Sequence, residues 1–262
     1  MKLVFPELNN NLNNPIARQA AENFPDIDWL SAPDLNSAVN LVKTGEADSL
    51  ISGLDFSSRD VLIACKDHLN LSSKFFSSCF ICEREIKNGE IQHLVLADGG
   101  VNKLPDAKKL YTITEDSAKT FEAYYNEQPK IAMLSYSTKG SGGKNPDLEK
   151  IYAVIDKIRE KHPDWLIDGE MQLDAAVNPR VAAKKTPDSP LKGAANVLIV
   201  PDLNSGNILY KSLEQFGGFK IAGPLIQGFT VPLADLSRGS TAEDTTLTIQ
   251  VIKTLIERMR QS

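Results

Sequence analysis

The chain is poor in the residues that specialised chemistry usually recruits, with three cysteines and three histidines in 262 residues. Three cysteines are too few and too odd in number for a disulfide framework. Cys79-Phe-Ile-Cys82 has CxxC spacing, but it lies in the apolar run Phe75–Cys82 with no second pair and no βαβ redox context. It reads as two buried strand thiols ahead of a redox or metal pair. His68, His93 and His162 share no motif, and no Gly-x-Ser-x-Gly occurs, so a serine-hydrolase triad has nothing to stand on. There is no Lys/Arg block, and the net charge of -5 is spread along the chain, which argues against a nucleic-acid partner. Apolar stretches such as Ala195–Val200 are far too short to cross a bilayer. Met1–Glu7 lacks the long apolar segment of a signal peptide and reads as a first strand, so no membrane association and a cytoplasmic location are expected.

What is present is ordinary globular composition, 42% hydrophobic and 24% charged, enough for one large domain or two modest ones. Short β-rich runs alternate with helical ones. Strands are predicted at Leu3–Phe5, Ser49–Ser52, Phe75–Cys82, His93–Ala97, Lys130–Ser135 and within Asn196–Pro201. Helices are predicted at Ile16–Asn23, Leu35–Thr44 and Ser58–Leu69, and one or two within Asp106–Gln128. Asn145-Pro146-Asp147 supplies an N-cap, a first-turn proline and an acidic first turn, followed by Leu148, Ile151, Tyr152, Ile155 and Ile158 at helical spacing. The alternation implies βαβ units and an α/β fold, with no linker or repeat dividing the chain.

The strongest local chemical signal is Asp235-Leu-Ser237-Arg238-Gly239-Ser240-Thr-Ala-Glu243-Asp244. Ser240 and Glu243 have capping-box spacing, so a helix is predicted to start at Ser240, with an apolar stripe at Leu247, Val251, Ile252, Leu255, Ile256 and Met259. That places Ser237, Arg238 and Gly239 at a helix N-terminus, which favours an anion, and arginine matches phosphate bidentately. A capped helix alone accounts for Glu243 and can account for Asp244, but it does not call for Ser-Arg-Gly. Ser137-Thr138-Lys139-Gly140-Ser141-Gly142-Gly143-Lys144 resembles a phosphate cradle but fails as a Walker A loop. Asn145 stands where Ser or Thr is required, and Thr138 where the first Gly is required. It is either a cradle for another phosphorylated ligand or a surface loop. Asp168, Glu170 and Asp174 bring three carboxylates together. They read as turn and cap residues, with a magnesium site as the alternative.

Several segments together resemble the phosphate acetyltransferase (phosphotransacetylase) family: Ala132–Ser141, Asp168–Ala176, Ala183–Pro190, Ala195–Lys211 and Gly223–Gly228 leading into Asp235–Gly239. The Asp-Leu-Ser-Arg-Gly form fits the acetyl rather than the butyryl branch. The resemblance implies two α/β/α sandwich domains with a cleft between them, similar to isocitrate/isopropylmalate dehydrogenase, with boundaries at 1–77 plus 234–262 and 78–233. It implies a homodimer that moves an acetyl or short acyl group between coenzyme A and inorganic phosphate, coenzyme A being a substrate and no cofactor or metal being required. Ser237 and Arg238 are then expected to hold phosphate and stabilise developing charge, and Asp244 to take the thiol proton. Ser137, Thr138, Lys139, Gly140, Ser141 and Asn207 are expected to bind substrate. The chain is shorter than is usual for the family between its first strand and Glu46, and Ile63 stands where the family carries an arginine. Arg59, one helical turn away, is the expected substitute. The alternative function is a non-catalytic relative that binds coenzyme A or an acyl phosphate, or a structural partner. A carboxylate near pKa 4 taking a proton from a thiol near 8.5 works uphill by roughly 6 kcal/mol, so the Asp244 role needs either a raised pKa or a proton transfer concerted with attack.

Overall fold

Local capping chemistry sets most of the helix starts. The computed structural model describes residues 1–9 and 11–261; Asn10, within the Asn-rich loop, and Ser262 lie outside them. The chain opens with β1 (Lys2–Val4). Asn14 then caps α1 (Pro15–Glu22), its side-chain oxygen accepting from the N–H groups of Ile16 and Ala17 at 3.0 and 3.2 Å. β2 (Asp28–Leu30), α2 (Leu35–Lys43), β3 (Ser49–Ser52) and α3 (Ser58–His68) follow, with Asp34 and Ser57 as the caps of the two helices.

An antiparallel pair comes next, β4 (Ser77–Glu85) and β5 (Ile91–Ala97). Behind it are α4 (Ala107–Tyr125), β6 (Lys130–Leu134), α5 (Pro146–Lys161) and β7 (Leu166–Met171). Two short helices, α6 (Leu173–Val177) and α7 (Pro179–Lys185), lead to β8 (Val197–Ile199) and α8 (Leu203–Gly217). The chain closes with β9 (Lys220–Gln227), β10 (Leu233–Asp235) and α9 (Ala242–Met259). The segment Asp106–Gln128 forms one helix. It stops at Asn126, whose left-handed φ of 56° turns the chain while its N–H still bonds Glu122.

The chain divides into two compact units, Met1–Phe76 with Lys220–Ser262, and Ser77–Phe219. The first unit's strands run β2-β1-β3-β10-β9, parallel except for β9. Its α1 packs on α9, and its α2 on α3. The second unit's strands run β4-β5-β8-β6-β7, parallel except for β4. The architecture is therefore mixed α/β with parallel-dominated sheet. The expected return to the first domain at 234 falls later than the observed changeover at 220. The physical reason is that β9 pairs antiparallel with β10, Leu225 opposite Ala234, and so belongs with the first unit.

Each unit buries its own apolar layer. Leu3, Val4, Phe5, Leu50 and Ile51 are fully buried in the first, and Ile81, Val95, Leu96, Phe121 and Ile131 in the second. Each such side chain contributes about 1.5–3 kcal/mol. Cys79 and Cys82 are buried and free on β4. Three residues apart on a strand, they project to opposite faces and do not form a ligand pair. Burial, the leading cause, pushes both thiols well up, so both stay protonated.

Candidate functional site

In the first unit the candidate residues stand beyond the carboxyl ends of the parallel strands β3 and β10, where α/β folds place their ligands. β3 and β10 pair in register, Ser52 opposite Asp235, and the N–H of Leu236 extends the pairing to Ser52 O at 2.6 Å. This close approach requires a glycine. Gly53 has φ +119°, and a Cβ there would lie 2.3 Å from Leu236 O.

Ser237 then starts a tight turn. Its Oγ accepts the N–H of Gly239 at 3.2 Å, and its carbonyl accepts the N–H of Ser240 at 2.9 Å. Arg238 projects from this turn, exposed and without an ion pair among the described residues. The helix behind it starts one residue later than the spacing of Ser240 and Glu243 suggests. Ser240 is held in the turn, and Thr241, in extended backbone, is the N-cap of α9.

The capping box is completed by Asp244, which places the candidate base inside a structural device. Asp244 Oδ2 accepts the N–H of Thr241 at 3.1 Å and its hydroxyl at 2.6 Å, while the N–H of Asp244 bonds Thr241 Oγ1 at 3.1 Å. Its Oδ1 accepts the N–H of Ile221, at the start of β9, at 3.2 Å. Two of the N–H groups expected to be free for an anion, those of Thr241 and Asp244, are thus committed to the box. Along α9 the predicted stripe holds for Val251, Ile252, Leu255 and Ile256, whereas Met259 is 52% exposed.

Arg59 lies in the first turn of α3, exposed, and Ile63 is exposed one turn further on. Ser57 caps this helix through the N–H of Asp60 at 3.2 Å. The neighbouring Ser58 hydrogen-bonds the carboxyl of Asp235, which ties α3 to the strand that delivers Ser237.

The other candidates belong to the second unit. The loop after β6 is pinned by one carboxylate, that of Glu170 on β7. Glu170 Oε1 accepts Ser137 Oγ at 2.6 Å and the N–H of Gly140 at 2.9 Å, and Oε2 accepts the hydroxyl of Tyr152 at 2.5 Å. Ser141 Oγ accepts the N–H of Thr138 at 2.9 Å, Thr138 Oγ1 accepts the N–H of Gln172 at 2.9 Å, and Ser137 Oγ accepts the N–H of Gly142 at 2.7 Å. Burial works to raise the Glu170 pKa, but the hydrogen bonds from Ser137, Tyr152 and Gly140 outweigh it and hold the carboxyl below its usual range. The same bond, aided by burial, pushes Tyr152 up to about 12.

Lys139 is exposed, but its head group is taken up within the unit. Its ammonium pairs with Asp168 and reaches Gly169 O at 3.3 Å, and Arg159 stands 3.6 Å from the same carboxylate. Lys139 therefore presents little net charge to a ligand, whereas Lys144 is exposed without an ion pair among the described residues. The carboxylates read as turn and cap residues behave differently. Asp168 and Glu170 are buried within β7, and Asp174 pairs with Lys185 at 2.8 Å. Each faces its own partners, and among the described residues no group of three or more His, Cys, Asp or Glu gathers around one point.

Asn207, on the first turns of α8, donates to Gly99 O at 3.4 Å. The loop it touches is organised by buried Asp98, which accepts the N–H groups of Gly100, Val101 and Asn102 at 3.1, 3.0 and 3.0 Å and a hydrogen bond from Ser78.

Sequence reasoning missed Glu7, Asp235 and Tyr152. Tyr152 was predicted as part of the apolar stripe of α5, yet it is 39% exposed, and Val154 takes the buried place. Asp235 opens the Asp-Leu-Ser-Arg-Gly segment but carries no local signal of burial. Among the described residues no helix is long and apolar enough to cross a membrane.

The model of one family, phosphate acetyl/butaryl transferase, matches residues 28–252. The chain is 42% identical over 206 residues to a phosphate acetyltransferase of Bacillus subtilis (strain 168), covering 78% of this chain and 62% of that protein. It is 36% identical over 231 residues to one of Treponema pallidum (strain Nichols), covering 86% and 67%. The match thus spans about two thirds or less of these curated relatives. A solved phosphotransacetylase of Streptococcus pyogenes superposes with a TM-score of 0.84 at 30% identity, covering 99% of this chain and 94% of that one. With the family model matching most of this chain and the Ser237-Arg238 turn standing at the end of a parallel strand, the chain belongs to the phosphate acetyl/butaryl transferase family.

Proposed function

We propose that the chain transfers an acetyl or short acyl group reversibly between coenzyme A and inorganic phosphate. The observation that carries this reading is the Ser237-Arg238-Gly239 turn, which leaves an exposed guanidinium, without an ion pair among the described residues, beside a hydroxyl just ahead of a helix N-terminus. In the forward direction the coenzyme A sulfur attacks the carbonyl carbon of acetyl phosphate. The carbon–sulfur bond forms, the carbon–oxygen bond to phosphate breaks, and phosphate departs with the bonding pair. Arg238 and Ser237 stabilise the charge that develops on the phosphate and the carbonyl oxygen. Asp244 receives the thiol proton.

A carboxylate is in general a far weaker base than a thiolate, and both Asp244 oxygens already accept hydrogen bonds, from Thr241 and Ile221. Its proton transfer is therefore concerted with carbon–sulfur bond formation and does not precede it. Arg59 and Asn207, with the loop Ser137, Thr138, Lys139, Gly140 and Ser141, bind the phosphorylated substrates. Because Lys139 is neutralised by Asp168, the loop contributes shape and backbone N–H groups more than charge. Each unit is a sandwich of the dehydrogenase-like kind, a reading supported in the first unit by the separate α1/α9 and α2/α3 pairs. The protein acts as a cytoplasmic homodimer without a metal or cofactor.

Incubating purified protein with acetyl phosphate and coenzyme A, and following loss of free thiol together with thioester formation, tests the reading. Thioester formed in proportion to enzyme supports it. Coenzyme A binding without thioester in either direction refutes it and leaves a binding protein.

A further inference from the structure

Glu7 and Asp235 are the most deeply buried carboxylates described in the first unit, 0% and 2% exposed. Glu7 lies in a single turn just after β1, and Asp235 ends β10 two residues before Ser237. Both abut Gly53. Its N–H donates to Glu7 Oε1 at 2.7 Å, and a Cβ at Gly53 would lie 2.7 Å from Asp235 Oδ1. Glu7 Oε1 also accepts Ser52 Oγ at 3.1 Å and the N–H of Leu54 at 3.0 Å, while Asp235 is bonded by Ser58. Among the described residues the other oxygens, Glu7 Oε2 and Asp235 Oδ1, are buried without a hydrogen-bond partner. Among the described residues no lysine, arginine or histidine forms an ion pair with either carboxyl. Two buried, uncompensated charges of like sign are costly, and a single proton relieves both.

We infer that Glu7 and Asp235 hold one proton between them, and that this pair positions the Ser237-Arg238 turn and the first turn of α3 for the reaction proposed above, on which the positioning role rests. Glu7, with three donors aimed at one oxygen, is the anion, and Asp235 is the acid. Burial pushes Asp235 up to about 7, with the Glu7 charge adding and Ser58 opposing; burial also raises Glu7. Among the described residues the remaining titratable group facing Asp235 is Cys65 of α3. Its thiol, pushed up to about 12 by burial and by Asp235, stays neutral. From β3 the facing group is the Ser52 hydroxyl.

The sign of the effect follows from the raised value. The folded state holds a proton that the unfolded chain releases near 4, so stability falls as pH rises from about 4 to about 7. Above that window the pair carries two charges against Gly53, and the hold on the Ser237 turn and on Ser58–Arg59 loosens.

The test is Asp235→Asn, whose amide keeps the shape and donates in place of the acid's proton. Turnover near pH 6 is expected within about threefold of wild type, a difference worth about 0.7 kcal/mol. The decline of wild-type activity above about pH 7 is expected to vanish in the variant. Asp235→Ala, with no donor, is expected to lose at least about tenfold at every pH. A purely structural carboxyl would lower stability in both variants and leave the alkaline limb unchanged.

The infrared band of a protonated carboxyl supplies a readout that needs no activity. It is expected near pH 6, titrating away about pH 7, and absent in Asp235→Asn. An inactive protein that shows this band keeps the shared proton and sinks only the proposed reaction. If Asp235→Asn does not fold, Glu7→Gln, which removes only the neighbouring charge, is expected to keep the band and to move both its titration and the alkaline limb to lower pH, and an unmoved limb overturns the inference. An absent band, or a wild-type pH profile in the variant, overturns the inference.

Discussion

Replacing Asp244 separates the two tasks that one carboxylate is asked to perform. Asp244→Ala removes the capping box, worth about 1 kcal/mol, and strips the N–H of Ile221 of its acceptor in a buried position, worth about 1–3 kcal/mol more. The expected loss is therefore about 2–4 kcal/mol, or roughly 4–16 °C in melting temperature at about 2–4 °C per kcal/mol for a chain of this size. Thr241→Ala removes only the cap's hydroxyl. It is expected to cost about 1 kcal/mol and to leave turnover within a few-fold of wild type.

Asp244→Asn keeps one acceptor oxygen but turns an N–H₂ toward a donor, so its stability should fall between the other two. Its rate should not be intermediate. A lost proton acceptor costs about 10²–10⁴-fold, far beyond what a partly frayed helix start explains. Denaturant melts and steady-state thioester formation, measured on all three variants, make the comparison. Turnover within threefold of wild type in Asp244→Asn would refute the base assignment. An unchanged melting curve in Asp244→Ala would refute the structural one.

Arg238→Ala should reduce kcat/KM more than about a hundredfold, near 3 kcal/mol, while leaving the denaturation midpoint unchanged, because the side chain is exposed and forms no ion pair among the described residues. Arg59→Ala should weaken the apparent affinity for acetyl phosphate or coenzyme A about tenfold, and unchanged kinetic constants would remove Arg59 from the site. Tyr152→Phe should cost about 1 kcal/mol and raise amide exchange across 137–143, since the Glu170 Oε2 bond is lost while those of Ser137 and Gly140 remain. Glu115 is held near pKa 2: burial opposes, but bonds from His162, Lys161 and Tyr111 prevail. Its contribution is present above about pH 4.5 and lost as pH falls toward 2, so Glu115→Gln should destabilise by about 1–2 kcal/mol at neutral pH and by little near pH 2, in melts at the two pH values. The full pKa shift is discounted because Lys119 and Lys161 are more than half exposed.

The sequence by itself determined the elements whose causes are local. The helix start at Asn145-Pro146 is legible because cap, proline and acid act within one turn, and the structure has Asp147 N bonded to Asn145 Oδ1 at 2.9 Å. The strand Ser49–Ser52 matches to the residue. The Ser237-Arg238 turn could be placed before a helix because the capping-box spacing of Ser240 and Glu243 and the apolar stripe from Leu247 onward follow it in the sequence.

Tertiary structure decided whatever depends on partners distant in the chain. The segment containing Asp168 and Glu170 reads as turn and cap, because buried carboxylates contradict a strand pattern. Lys139 and Ser137, brought alongside by the β6–β7 pairing, and Tyr152 from α5 supply the partners that let β7 be a buried strand. The cap of α9 shifted from Ser240 to Thr241 because Asp244 finds a second donor in Ile221, on a strand that local spacing could not bring near. Glu7 and Asp235 lie at opposite ends of the chain. Their burial, and the proton it demands, exist only once β1, β3 and β10 align beside Gly53.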